Sequence, residues 1–355
     1  MEKNQNHRFP YSWNLADGFP AKGIENHQKK VFGTFICGGG SSMGYKLAGY
    51  HHLGGVEIDE KVAAIYRENH HPEYLFVEDL RRFNERTNIP DELFGIDLLD
   101  GSPPCSTFSM AGSREGAWGK EKQFAEGQAL QTLDDLVFVY CDTIVKLRPK
   151  CFLLENVKGL TLGNAKSYLK RIINRLTQAG YVCQVFVLNS ATMGVPQKRE
   201  RAFIIGHLQE YHLPRLKLNF KEIPIYFREV IDRSDTQNNL TEGEQMHYDN
   251  RRPTDRTMAD TRRRIDGKTS GFTRSWVHGN DVCPTLTTTD MLVYDFPRKM
   301  NEREIKCCGT FPQDYKAPSR ERLLWLCGMS VPPVMTAQIA YQIYLQWLKE
   351  IDNVR

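Results

Sequence analysis

From Lys30 to Asn69 the chain reads KVFGTFICGGGSSMGYKLAGYHHLGGVEIDEKVAAIYREN. An apolar run breaks into a glycine-rich turn, a helical stretch follows, and a second apolar run ends in acid. Two such strands can lie parallel only if the helix crosses over between them, so this opening predicts a βαβ unit. The alternation continues. FGIDLLDGSPPC is a strand running into a proline loop, LDDLVFVYCDTIVKL a helix and CFLLENVKGL a strand. SYLKRIINRLTQAG is a helix stopped by Gly180, and YVCQVFVLNS and RAFIIG are two further strands. Strands alternating with helices predict an α/β fold, a doubly wound sheet covered on both faces.

Past Gly206 the texture changes. His207 to Arg274 is polar and weakly periodic, and between Arg251 and Arg274 eight basic residues face three acids, a local excess of five. Over the whole chain 47 Lys and Arg nearly balance 43 Asp and Glu, so any nucleic-acid surface must come from local clustering. The expected division is 1–206 for the first part of a catalytic and cofactor-binding domain, 207–299 for a smaller inserted domain, and 300–355 for a segment returning to the first. TAQIAYQIYLQWLKEI in that last segment has helical spacing, while residues 1–29 show no clear element. No run of eighteen apolar residues occurs, which argues against a membrane span. The nine cysteines include no C-x-x-C pair, which argues against a disulfide framework or a zinc site and reads as reduced thiols inside a cell. No signal peptide opens the chain.

The turn FICGGGSSMG lets backbone pass close to a ligand, although glycines there also serve tight packing. Seventeen residues after Gly40 the second strand ends at Glu57, from which a carboxylate can accept bonds from both hydroxyls of a ribose. Asp79, ending the third strand, could accept from an adenine amine. Cys105 follows two prolines just beyond a strand end, in a polar loop that suits a nucleophile. Glu155 and Asn156 end CFLLENV at the same sheet edge. A period of two along GVPQKRERAFIIG places Gln197, Arg199 and Arg201 on one strand face.

In this order, the glycine turn, Glu57, Asp79, Pro104-Cys105, Glu155-Asn156-Val157 and Gln197-x-Arg199-x-Arg201 resemble the cytosine-5 DNA methyltransferases. The resemblance resumes with CPTLTTTD at 283–290, NEREIKCCGTFPQDY and GMSVPP at 328–333. It implies a Rossmann-like doubly wound methyltransferase sheet with a smaller target recognition domain inserted. S-adenosyl-L-methionine would be the cofactor, and Phe35, Ile36, Cys37, Gly38, Gly40, Glu57, Ile58, Asp79, Leu80, Ser102, Pro104, Met329, Ser330 and Val331 would bind it. Cys105 would add to C6 of a cytosine flipped out of double-stranded DNA, with Glu155 at N3 and the amine, Arg201 at O2 and Arg199 in support. Ser106, Gln197, Arg262, Arg263, Arg264 and Thr285 would meet DNA, no metal would be needed, and the segment after Ser106 would close as a lid. A cytoplasmic, monomeric enzyme of prokaryotic or phage-infected cells is expected.

Two positions depart from the family pattern. Cys37 stands at the first glycine of F-x-G-x-G-G, and Met329 stands where G-N-S-V-P carries asparagine beside the amino-acid end of the cofactor. Met329 therefore raises the alternative of a modified sulfonium donor. Other readings are a transfer-RNA cytosine methyltransferase, a DNA-binding relative without activity, and a nicotinamide oxidoreductase. The last leaves Pro-Cys and Q-x-R-x-R without a role.

Overall fold

The computed structural model describes residues 7–104, 135–163, 165–268 and 274–353. Cys105, Ser106 and the expected lid lie outside them. The chain forms two compact units. One comprises Phe19–Asn189, Glu200–Asn219 and Thr336–Arg355; the other comprises Met1–Gly18, Ser190–Arg199 and Phe220–Met335.

The first unit is built on β1 (Lys30–Thr34), α1 (Gly40–Leu47), β2 (His51–Glu57), α2 (Glu60–His70), β3 (Tyr74–Val77) and α3 (Leu80–Glu85). Next come β4 (Leu98–Gly101), α4 (Leu136–Leu147), β5 (Cys151–Val157), α5 (Ala165–Gln178), β6 (Tyr181–Asn189) and β7 (Glu200–Leu208). Their order in one seven-stranded sheet is β3-β2-β1-β4-β5-β7-β6. The first five are parallel, while β7 runs antiparallel to both β5 and β6. Strand order reverses between β1 and β4, so the crevice beyond their carboxyl ends is the topological switch point at which such sheets take ligands. This is the α/β sheet that the alternation predicts, in the Rossmann-like form that the resemblance implies.

Short-range chemistry places the element ends. Asp59 caps α2 by accepting from the Lys61 and Val62 amides, and Asp79 caps α3 through Arg81. Gly180 follows α5 at φ 90°, in the left-handed region. The core beneath is a continuous apolar cluster that includes Phe32, Leu53, Phe83, Leu99, Ile144, Phe152 and Ile204, all buried.

The second unit carries α6 (Glu242–Asp249), α7 (Met258–Asp266), the short parallel pair β8 (Trp276–Val277) and β9 (Leu292–Val293), α8 (Glu302–Gly309) and α9 (Arg320–Met329). A fully buried Arg298 staples it. Its guanidinium donates to both oxygens of Glu304, at 2.7 and 2.8 Å, and to the carbonyls of Asp232 and Asp235. The segment without a clear element in the sequence is ordered here: Trp13 donates its indole N–H to the Thr310 carbonyl, and Asp314 accepts from the Leu15 and Ala16 amides. α10 (Pro333–Ile343) then runs through a π-helical turn at Tyr344–Leu348 into α11 (Lys349–Asn353). The helical run Arg320–Ile351 is long and apolar enough to cross a membrane, but 83% of its apolar window is buried inside the protein. It is a core helix by that measure.

Candidate active site

In the sheet unit, the turn after β1 is built from residues in the left-handed region. Phe35 has φ 56°, Cys37 φ 47° and Gly39 φ 84°. Only at Gly39 does space forbid a side chain, since a Cβ there would stand 2.0 Å from His70 Nε2. Cys37 keeps its side chain in the family's first glycine position because its left-handed backbone is locked from the neighbouring strand: its amide donates to Glu57 Oε2 at 2.9 Å. The other Glu57 oxygen accepts from the Asp59 amide at 2.9 Å. The Ile58 amide also bonds this carboxylate. Burial pushes the Glu57 carboxyl up, and the Asp59, Cys37 and Ile58 amides oppose the shift. Ile58 is exposed beside it, whereas the Leu80 side chain is buried in the core. Asp79 spends part of its acceptor capacity on the Arg81 amide at 2.8 Å and the Arg81 guanidinium at 3.1 Å.

β4 ends at Gly101 and leads through Ser102 and Pro103 to Pro104. Asn156, on β5, donates from Nδ2 to the Pro103 carbonyl at 3.2 Å and anchors that loop. Next to Asn156 is Glu155, 8% exposed, whose Oε1 lies 3.0 Å from Arg201 Nε. The pair is possible because antiparallel β7 sets Arg201 against Val157, two residues along from Glu155. Sequence alone points to Glu155 and Arg201; Asn156 acquires its role only through the loop it holds. Asp100, another residue without a role in the motif reading, is 4% exposed near the end of β4 and accepts from Tyr45 Oη at 3.0 Å.

The second unit holds the rest. Ladder pairing of β7 begins at Glu200, so the expectation that Gln197, Arg199 and Arg201 share one strand face is corrected. Gln197 bridges to Cys283 instead, and the Arg199 amide and carbonyl bond Ser190. Gln197 is fully buried; it donates to the Cys308 carbonyl at 3.0 Å and accepts from the Leu286 amide at 3.0 Å. With these two bonds to backbone, its side chain braces the 283–286 segment. Arg199 Nη1 donates to the Gly328 carbonyl at 2.9 Å, bracing the end of α9, and Thr285 Oγ1 donates to the Lys198 carbonyl. Met329 is 45% exposed, Ser330 Oγ is buried with no hydrogen-bond partner, and Val331 is buried.

On α7 the three arginines differ. Arg262 pairs with Asp266 and Arg263 with Asp260 along the helix surface. Arg264 turns inward to the buried Asp255, which Thr261 also binds. All three are paired within the unit.

Comparison with known proteins gives the family and the fold. The model of the C-5 cytosine-specific DNA methylases matches residues 30–345. Among relatives, the Type II methyltransferase M.Sau96I of Staphylococcus aureus is 36% identical over 200 residues, covering 55% of this chain and 43% of that protein. The Type II methyltransferase M1.HphI of Haemophilus parahaemolyticus is 27% identical over 342 residues, 86% of this chain and 84% of that protein. The chain thus spans less than half of the first relative and most of the second. A solved structure described as a DNA modification methyltransferase from an E. coli prophage shares the fold, with a TM-score of 0.67 at 17% identity over 89% of this chain and 99% of that one. Matched across nearly its whole length, the chain belongs to the C-5 cytosine-specific DNA methylases.

Proposed function

We propose that the protein is an S-adenosylmethionine-dependent DNA cytosine-5 methyltransferase. The observation that carries this reading is the Glu155–Arg201 pair, held on β5 and β7 next to the Asn156-anchored loop that leads into Cys105. A carboxyl group and a guanidinium set side by side match the N3 and amine edge and the O2 of a cytosine.

The residues present fit the cofactor. Glu57 is a buried carboxylate at the end of β2, where an acceptor can meet a ribose hydroxyl, Ile58 offers apolar surface beside it, and the left-handed turn at Phe35–Gly39 brings backbone close. When bound, S-adenosylmethionine supplies the methyl group that cytosine C5 takes.

The chain's own residues do the remainder. Cytosine C5 is a poor nucleophile until a thiolate adds at C6, and that addition is the role of Cys105. As electron density moves toward N3, Glu155 shares a proton there, and Arg201 holds O2. Loss of the C5 proton to a base then expels the Cys105 thiolate and restores the aromatic ring. A stacked cytosine presents neither face to a thiol, so the base must leave the duplex. Arg262 and Arg263, half exposed on α7, are the phosphate contacts we assign to the second unit.

Cys105→Ala is expected to abolish methyl transfer to DNA while retaining DNA binding. Wild type should form a complex with 5-fluorocytosine DNA that survives a denaturing gel, because fluorine blocks the elimination step. Methylation of DNA by the alanine variant, or transfer to transfer RNA in place of DNA by wild type, would overturn the reading.

A further inference from the structure

The carboxyl ends of β2, β4 and β5 gather three buried carboxylates, Glu57, Asp100 and Glu155, at 9%, 4% and 8% exposure. Glu155 is balanced by Arg201. Among the described residues neither Glu57 nor Asp100 forms an ion pair, although an unbalanced buried charge is costly. Asp100 stands at the switch point itself, opposite Gly33 of β1 and one residue before β4 ends. Hydrogen bonds partly offset its burial: Tyr45 Oη donates to its carboxylate at 3.0 Å, and Ser41 and the Gly101 amide also hydrogen-bond it. The titratable groups around it are Tyr45 on α1, Tyr66 on α2, Tyr140 on α4 and Glu155 on β5. Of these Glu155 is the other carboxyl group, and it is paired with Arg201. Asp100 itself is held by hydrogen bonds and by no ion pair among the described residues.

Building on the cofactor site assigned above, we propose that ionised Asp100 is the counter-charge by which this site prefers the cationic donor S-adenosylmethionine to its product S-adenosylhomocysteine, whose sulfur is neutral. Burial, aided by Glu155 and opposed by the Tyr45 and Ser41 hydroxyls, pushes the Asp100 carboxyl up to about 7. A cation arriving at the switch point favours the carboxylate, so the donor displaces a proton that the product does not, and transfer of the methyl group removes the charge that held the cofactor.

Calorimetry of both ligands from pH 6 to 8, in buffers of different ionisation enthalpy, tests this on wild type and Asp100→Asn. Wild type should release more protons on binding S-adenosylmethionine than the variant does, with no such difference for S-adenosylhomocysteine. The amine that both ligands carry titrates in wild type and variant alike and drops out of the comparison. The wild-type preference for the donor should fall by up to about tenfold per pH unit below 7, and that of the variant should be flat. Tyr45→Phe removes a bond that favours the carboxylate and should move the fall to higher pH, an independent arm if Asp100→Asn does not fold. A donor-to-product preference with the same pH profile in wild type and variants overturns the proposal alone. Failure of wild type to bind either ligand overturns the cofactor site as well.

Discussion

Single residues divide here into those that face chemistry and those that hold the facing residues still. Gln197 and Arg199 belong to the second kind, since their side chains end on backbone carbonyls and amides of 286, 308 and 328. Gln197→Ala would strand the Leu286 amide and the Cys308 carbonyl, at about 1 to 3 kcal/mol for each group. The urea midpoint should therefore drop; a variant of unchanged stability that loses only DNA affinity would show that Gln197 meets DNA after all. Met329 is the opposite case. Its exposure of 45% shows a side chain that is not needed to fill the core. Met329→Asn should tighten S-adenosylmethionine by about one hydrogen bond, 0.5 to 1.5 kcal/mol, a few-fold to about tenfold in Kd. Unchanged affinity in a binding titration would remove position 329 from the cofactor site.

At the scale of the element, α7 shows why a run of like residues is not one surface. Thr257 caps it in a reciprocal box with Asp260 and Gly267 ends it, so the helix is defined locally. Its three consecutive arginines then point in different directions, because neighbours on a helix are about 100° apart. Neutralising Arg262 and Arg263 together should lower the magnitude of the salt slope of DNA binding by up to about 2 and leave stability nearly unchanged. Arg264→Gln instead leaves the buried Asp255 without its cation and should destabilise the second unit. Equal salt slopes for wild type and the double variant, measured by fluorescence anisotropy, would make Arg262 and Arg263 a solvated face.

For the whole molecule, a half-buried histidine and a buried carboxyl group shape stability with pH in opposite directions. His27, pushed down to about 4 mainly by burial, is favoured neutral in the fold; its contribution is complete above its ordinary 6.5 and is lost as pH falls toward 4. Asp100, pushed up to about 7, is favoured protonated, so its contribution is present below its ordinary 3.8 and is lost as pH rises toward 7. In thermal melts, His27→Gln should therefore flatten the acid limb, and Asp100→Asn should remove a decline between about pH 4 and 7; melting curves parallel to wild type at every pH would contradict both assignments. What the sequence determined by itself was whatever depends on near neighbours: the βαβ opening, the helix stop at Gly180, and the motif order that singles out Glu57, Glu155 and Arg201. Periodicity and capping act over a few residues and are written locally. Tertiary structure alone decided that β7 enters antiparallel between β5 and β6, which brings Arg201 onto Glu155, and that Gln197 leaves the strand to brace 286 and 308. It also decided that Asp100 is buried at the switch point and that the N-terminal segment is strapped to Thr310 and Asp314. Each of these joins residues far apart in the chain, and such partners are chosen by the closing of the fold, which no local pattern encodes.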